Sequence, residues 1–195
     1  MAIAVRALTG GEIAGVLDDL AALRIRVFAA YPYLYDGDAA SEAEYLAEYA
    51  AADDAVLVAA FDDARLVGAA TAAPMRHQKA EFRAPFEQRG LDTERLFYFG
   101  ESVLLPEHRG QGIGHAFFDQ REAQARRCGA NAACFAAVIR PDDHPARPAD
   151  YSPLDALWTK HGFARIEGLV TEHAWKEHGE AADSPKPMQF WLRTW

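Results

Sequence analysis

Cysteine is scarce. Cys128 and Cys134 are the two in the chain, and no Cys/His set shows metal-ligand spacing. A disulfide framework is therefore not expected in a chain of 195 residues that can build its own core. Basic charge is also short, with 20 Lys and Arg against 29 Asp and Glu and a formal net charge of −9. Nucleic acid is excluded as a natural partner, because basic surface supplies most of that affinity. A cationic small molecule suits an acidic surface better. No run reaches the roughly 18 apolar residues that a membrane span needs. The opening MAIAVRALTG lacks a charged-then-apolar signal region. These absences lead us to expect a cytoplasmic protein that does not enter membranes. No repeat, low-complexity tract or linker divides the chain, so a single domain over residues 1–195 is expected.

The residues present make a globular composition: half are hydrophobic and a quarter charged, enough for one compact core. A short strand is predicted at Ile3 to Arg6. Thr9-x-x-Glu12 has capping-box spacing, and Ile13, Val16, Leu17, Leu20, Leu23 and Val27 form one helical face after it. That helix ends before Pro32. A loop with Tyr31, Tyr33, Tyr35, Asp36 and Asp38 follows, and Ser41-x-x-Glu44 repeats the capping pattern for a helix through Tyr49. Val56 to Phe61 and Leu66 to Ala72 read as strands around an Asp62-Asp63 turn. A helical piece at Ala80 to Gln88, interrupted by Pro85, leads to a strand at Leu96 to Leu105. Gly112 to Arg127 reads as a helix capped by Gly129. The nearly all-apolar run Ala132 to Ile139 suits a strand buried on both faces. The Pro- and Asp-rich stretch Arg140 to Pro153 is a loop, Leu154 to His161 a short helix. Phe163 to Trp175 and Met188 to Thr194 form a closing antiparallel pair.

The chemistry is concentrated in Glu101-Ser-Val-Leu-Leu-Pro-Glu-His-Arg109-Gly-Gln-Gly112-Ile-Gly114-His115. A strand runs into a glycine turn that opens a helix, which leaves amides free at the positive end of the helix dipole, a setting for phosphate oxygens. Spacing separates the candidate nucleotide motifs. A Walker loop requires Gly-Lys-Ser/Thr, where this chain has Gly114-His115. A dinucleotide fingerprint requires a third glycine where His115 stands, and an acidic residue about twenty positions on, where Ala132 to Phe135 lie. Arg109-x-x-Gly112-x-Gly114 remains.

That motif, with Val103-Leu104-Leu105-Pro106 before it and the helix end Leu157-Trp-Thr-Lys-His-Gly-Phe163 after it, resembles the GNAT superfamily of acetyl-CoA-dependent N-acetyltransferases. The likeness covers most of the chain. It implies an α/β (α+β) three-layer fold, with a mixed, twisted sheet of six to seven strands, splayed between the fourth and fifth, and helices on both faces. It also implies acetyl-CoA as co-substrate and no metal. The pantetheine arm would pair with backbone groups of Val103, Leu104 and Leu105. The pyrophosphate would rest on the amides of Arg109, Gly110, Gln111, Gly112, Ile113 and Gly114, in the acetyl-CoA motif 101–129.

Catalysis of amine acetylation requires removal of a proton, since an amine of pKa about 10 is mostly ammonium at neutral pH. Glu101, in an otherwise apolar strand, is the candidate base; its alternatives are a structural carboxylate at a strand bulge, or one that only binds the substrate ammonium. Family members carry a tyrosine acid one turn before the Gly-Phe helix end, where this chain has Trp158. Tyr151 is the alternative acid, or a packing ring. Tyr31, Tyr33 and Tyr35 are candidate acceptor contacts, because aromatic faces with nearby carboxylates suit a cation. The apolar end Phe190 to Trp195 is expected to be a sheet strand, open to a role in a homodimer. A small-molecule or peptide amine is the expected acceptor, and a catalytically inactive acyl-CoA sensor or interaction module is the competing reading.

Overall fold

The computed structural model describes residues 3–195. Strand β1 (Ala4–Thr9) leads into two helices, α1 (Gly11–Ala14) and α2 (Leu17–Phe28), where one was expected. The break falls at Gly15 and Val16, which pair a conformationally free residue with a β-branched one, both weak helix formers. The apolar face is as read, with Ile13, Leu20 and Leu23 buried. Glu12 still accepts from the Thr9 amide at 3.2 Å. Helix α3 (Ala39–Ala50) begins earlier than the Ser41 pattern implied. Asp38 caps it, accepting from Ala40 N at 2.9 Å and Ser41 N at 3.0 Å, and Ser41 donates its hydroxyl to the same carboxylate.

Strands β2 (Val56–Asp62), β3 (Arg65–Pro74) and β4 (Leu96–Leu104) continue an antiparallel meander, with helix α4 (Ala80–Gln88) inserted before β4. Pro85 does not end α4. The carbonyl that a proline leaves without a helical donor is that of Glu81, and Thr171 Oγ1 donates to it at 2.6 Å. Helix α5 (Ile113–Arg127) follows the glycine turn, then β5 (Ala132–Val138), the loop, α6 (Asp155–Lys160), β6 (Ala164–Trp175) and β7 (Ser184–Thr194). The seven strands lie in the order β1-β2-β3-β4-β5-β7-β6, antiparallel except for β4 and β5. Helices cover both faces of the sheet, as expected.

Two irregularities make the site. The parallel pairing of β4 with β5 spans Leu96↔Ala132 to Tyr98↔Cys134 and stops, so the strands diverge beyond it. The β3–β4 ladder also slips: Ala70 faces Ser102 while Ala72 faces Phe99, so β4 carries a bulge at Gly100–Glu101 opposite Thr71. Glycine is required there, since a Cβ on Gly100 would lie 2.4 Å from Thr71 Oγ1. The two hydrophobic clusters lie on opposite faces of the sheet, with Phe97, Phe99, Ala133 and Phe135 in one and Leu96, Tyr98, Ala132 and Cys134 in the other. One gathers β1–β4 with α1, α2, α3 and α5, and the other joins α4 to Tyr98, Cys134, Trp175 and Phe190.

Candidate active site

The glycine turn is built as its sequence implies. Gly110 and Gly112 have φ of 75° and 81°, a left-handed conformation that strains any residue with a Cβ. Nothing lies within 4 Å of where those Cβ atoms would be, so the constraint is conformational and the space in front of the turn is open. Among the described residues, the amides of 110–114 make no hydrogen bond to the protein, while His115 N already donates to Gly112 O at 3.0 Å. Those five amides fit a diphosphate. Arg109 departs from expectation: its amide donates to Pro106 O at 3.1 Å, and its Nε reaches Leu104 O at 3.3 Å.

On β4, Leu105 N donates to Val67 O at 3.0 Å. By strand alternation Val103 also bonds toward β3, and the backbone groups of Ser102 and Leu104 face the opening toward β5. Of Val103, Leu104 and Leu105, then, Leu104 presents its backbone to the gap, and Ser102 joins it. The side of the gap is closed by Phe135, Phe118 and Phe163, whose rings pack within 6.5 Å of one another.

Glu101 is the second residue of the bulge and is 7% exposed. Its Oε1 lies 2.7 Å from Arg24 Nη1, off the line of a hydrogen bond, so this oxygen keeps an unfilled acceptor site. Its Oε2 accepts from Tyr45 Oη at 3.1 Å. Arg24, 12% exposed, also grips Glu42, which is 2% exposed, and lies over the rings of Tyr45 and Phe28 at 4.5 and 5.2 Å. Burial opposes the charge on Arg24, but Glu101, Tyr45 and Glu42 together outweigh it and raise its pKa. Burial and the Glu101 charge likewise raise that of Tyr45.

The structure brings the three loop tyrosines to one neighbourhood in different roles. Tyr31 meets Tyr151 edge to face at 4.7 Å. Tyr33 packs between Phe28 and Trp175, and burial first, then Tyr151 and Glu101, push its hydroxyl up to about 12. Tyr35 lies against Glu42; burial and that carboxylate raise its pKa. Their loop is strapped to the β6–β7 hairpin. Trp175 Nε1 donates to Tyr33 O at 2.9 Å, Arg140 Nε to Pro32 O at 2.7 Å, and Asp36 pairs with Lys176 at 2.7 Å. Arg140 is itself held by Glu177.

Tyr151 thus stands at the rim of the tyrosine loop, its pKa raised by burial and then by Tyr31. Trp158, half-buried, packs against the core on Phe135 and Trp191, both at 5.0 Å. Sequence reasoning passed over Arg24, Glu42, Tyr45 and Thr71. The signal for Arg24 and Glu42 was available: Arg24 shares a helix face with Leu20 and Phe28, and Glu42 with Leu46, so each charge falls on an apolar stripe. A surface recess of about 440 Å³ near Thr9, Asp54 and Arg127 contains none of these residues. Among the described residues no group of three or more His, Cys, Asp or Glu is placed to hold a metal, and no helix is long and apolar enough to cross a membrane.

A turn with five amides free of protein partners, beside a strand edge opened by a splayed sheet, matches the architecture of an acyltransferase. The chain belongs to the acetyltransferase (GNAT) family, whose model matches residues 25–163. Comparison with curated proteins finds no match. Among solved structures, ribosomal-protein-alanine N-acetyltransferase from Brucella melitensis is similar at 16% identity and TM-score 0.64, covering 98% of this chain and 99% of that one. The phosphinothricin acetyltransferase from Sinorhizobium meliloti, in complex with acetyl-CoA, shares 18% identity at TM-score 0.59 over 100% and 89%. The PaiA N-acetyltransferase from Thermoplasma acidophilum, in complex with coenzyme A, shares 12% at TM-score 0.56 over 100% of both chains.

Proposed function

We propose that the protein transfers an acetyl group from acetyl-CoA to a primary amine by direct attack of the amine nitrogen on the thioester carbonyl. The observation that carries this reading is the continuity of the free amides at 110–114 with the open edge of β4, which leads to Glu101. Acetyl-CoA supplies an activated acetyl group, and Gly110 to Gly114 hold its diphosphate. Ser102 and Leu104 present the strand edge, where an amide can polarise the thioester carbonyl, an effect worth roughly 3 kcal/mol in related sites. The Glu101 amide is not that donor, because Thr71 Oγ1 accepts from it at 3.2 Å.

Glu101 removes the ammonium proton of the acceptor, directly or through water, and frees the lone pair that attacks. The C–N bond forms as the C–S bond breaks, and the thiolate takes a proton from Tyr151 or from solvent; a thiol of pKa about 8.5 leaves without protein assistance as well. Tyr31, Tyr33 and Tyr35 border the acceptor space, and their rings with Glu42 and Glu101 suit a small-molecule or peptide amine that carries positive charge. The free thiols Cys128 and Cys134 fit a reducing compartment such as the cytoplasm.

Thiol release from acetyl-CoA, measured over a library of amines, amino acids, peptides and aminoglycosides, tests the reading. Turnover with one acceptor class supports it. Binding of acetyl-CoA with no thiol release from any acceptor supports a sensor instead, a reading motivated by Trp158, which packs on Phe135 and Trp191 in place of the usual tyrosine.

A further inference from the structure

Arg121 is the largest side chain wholly enclosed by the protein, at 2% exposure, and it has no carboxylate within ion-pair distance among the described residues. Its Nε donates to Phe117 O at 3.2 Å and its Nη1 to Thr71 O at 3.4 Å. Its guanidinium also lies over the rings of Phe99 and Phe118 at 4.5 and 4.8 Å. A guanidinium with five donors and two long carbonyl bonds is a poor stabilising element, and a well-packed apolar residue of similar volume does as well or better. Burial pulls its pKa down to about 9, against the opposing influence of Tyr49 and Glu101.

Its contact is specific. Thr71, whose carbonyl Arg121 holds, sits opposite the Gly100–Glu101 bulge of β4. The Thr71 hydroxyl accepts from the Glu101 amide at 3.2 Å, in the space that the absent Cβ of Gly100 leaves open. Arg121 grips Thr71, Thr71 grips the bulge, and the bulge sets where the Glu101 carboxylate emerges beside Arg24.

We propose that Arg121 and Thr71 are positioning residues for the acetyl-transfer step, fixing the β4 bulge and through it the Glu101 carboxylate. The proposal rests on the reading of Glu101 as proton acceptor. A buried cation retained for placement makes a distinctive prediction, that its removal slows the enzyme without unfolding it.

The test uses the full chain with the acceptor found by the amine screen. Arg121→Met melts within about 4 °C of wild type or above it. Its kcat falls about tenfold or more, since displacement of a catalytic group by about 1 Å costs up to a hundredfold. Thr71→Val, which keeps the side-chain shape and loses the hydroxyl, gives a similar fall in kcat with acetyl-CoA affinity within about twofold. Thr71→Ser recovers most of the loss. Backbone hydrogen exchange over residues 98–104 speeds up in Thr71→Val and not in Thr71→Ser. In a Glu101→Gln background the Thr71→Val effect shrinks to less than about threefold, because the two changes act on one group. Wild-type kcat in Thr71→Val while Glu101→Gln is slow overturns this inference alone. A silent Glu101→Gln overturns the base assignment and this inference together. Should Arg121→Met fail to fold, the arginine is structural and its part of the proposal is overturned, with Thr71→Val still deciding the rest.

Discussion

Substituting Arg24 by methionine removes the one cation between two buried carboxylates. Glu42 and Glu101 stay almost enclosed, and neither has another basic partner within ion-pair distance among the described residues. Breaking a buried pair from one side costs about 3–5 kcal/mol, because the remaining charge is neither hydrated nor paired. Little screening discount applies, since all three groups are far less than a third exposed. Domains of this kind hold roughly 5–15 kcal/mol in total, so the loss is a large fraction of the whole. At about 2–4 °C per kcal/mol for a chain of this length, Arg24→Met should melt about 6–20 °C below wild type. Calorimetry at neutral pH measures this, and urea midpoints check it independently. Adding Glu42→Gln and Glu101→Gln to Arg24→Met removes both stranded charges and should recover at least about half of the loss. Arg24→Lys should fall between, since lysine keeps the charge without the planar fork that spans both carboxylates and stacks on Tyr45. If Arg24→Met melts within about 2 °C of wild type, the triad is not the buried electrostatic unit described above.

Further outcomes follow from the same geometry. Acetyl-CoA at about a hundred times its Kd should stabilise the protein by about 2.7 kcal/mol, a rise of about 5–10 °C in melting temperature, and no rise at high excess refutes the cradle. Gly112→Ala places a Cβ at a φ of 81° and strains the turn by about 1 kcal/mol or more. Coenzyme A binding should weaken about fivefold, and an unchanged Kd by titration calorimetry would count against the turn as the diphosphate site. His161, stacked on Phe118 at 4.4 Å and 2.8 Å from the His115 ring, is held below its ordinary value by burial and then by His115. The unfolded chain therefore binds that proton more readily, and stability falls as pH drops through about 6.5. His161→Phe keeps the stacked ring and should flatten this part of the profile, read as the change in urea midpoint between about pH 7.5 and pH 5.5 in the two proteins. Tyr151→Phe with unaltered kinetics would remove the tyrosine from proton delivery to the thiolate.

The elements legible in the sequence were those whose information is local. The apolar stripe of Ile13, Leu20 and Leu23, the all-apolar β5 and the glycine turn each carry a period or a conformational demand within a few residues. Competing local signals were harder to rank. Asp38 and Ser41 both satisfy an N-cap pattern, and the aspartate prevails because its carboxylate takes two amides and the serine hydroxyl besides. Pro85 looked like a breaker because its remedy, Thr171, comes from a strand far along the chain. The same distance hid most of the acidic half of the site. Glu101 was visible as a lone charge in an apolar strand, but Arg24, Glu42, Tyr45, Thr71 and Arg121 reach it from α2, α3, β3 and α5, and only the folded sheet brings them together. Trp158 was conspicuous as a departure, and its reason is a packing one that the neighbouring Trp191 and Phe135 supply.

The seam between β4 and β5 consists of three residue pairs. On one side lie Arg24, Glu42 and Glu101; on the other, β5, β7 and β6, joined to them by the tyrosine loop and its bonds to Arg140 and Trp175. An extended pantetheine laid along β4 would act as a missing rung of the ladder, so the donor doubles as a building component. Phe99, Phe118, Phe135 and Phe163 already pack across this seam, so the added rung would tighten an existing joint and lower the local opening of β4 and β5 together. Substrate loading and mechanical stiffening would then be the same event.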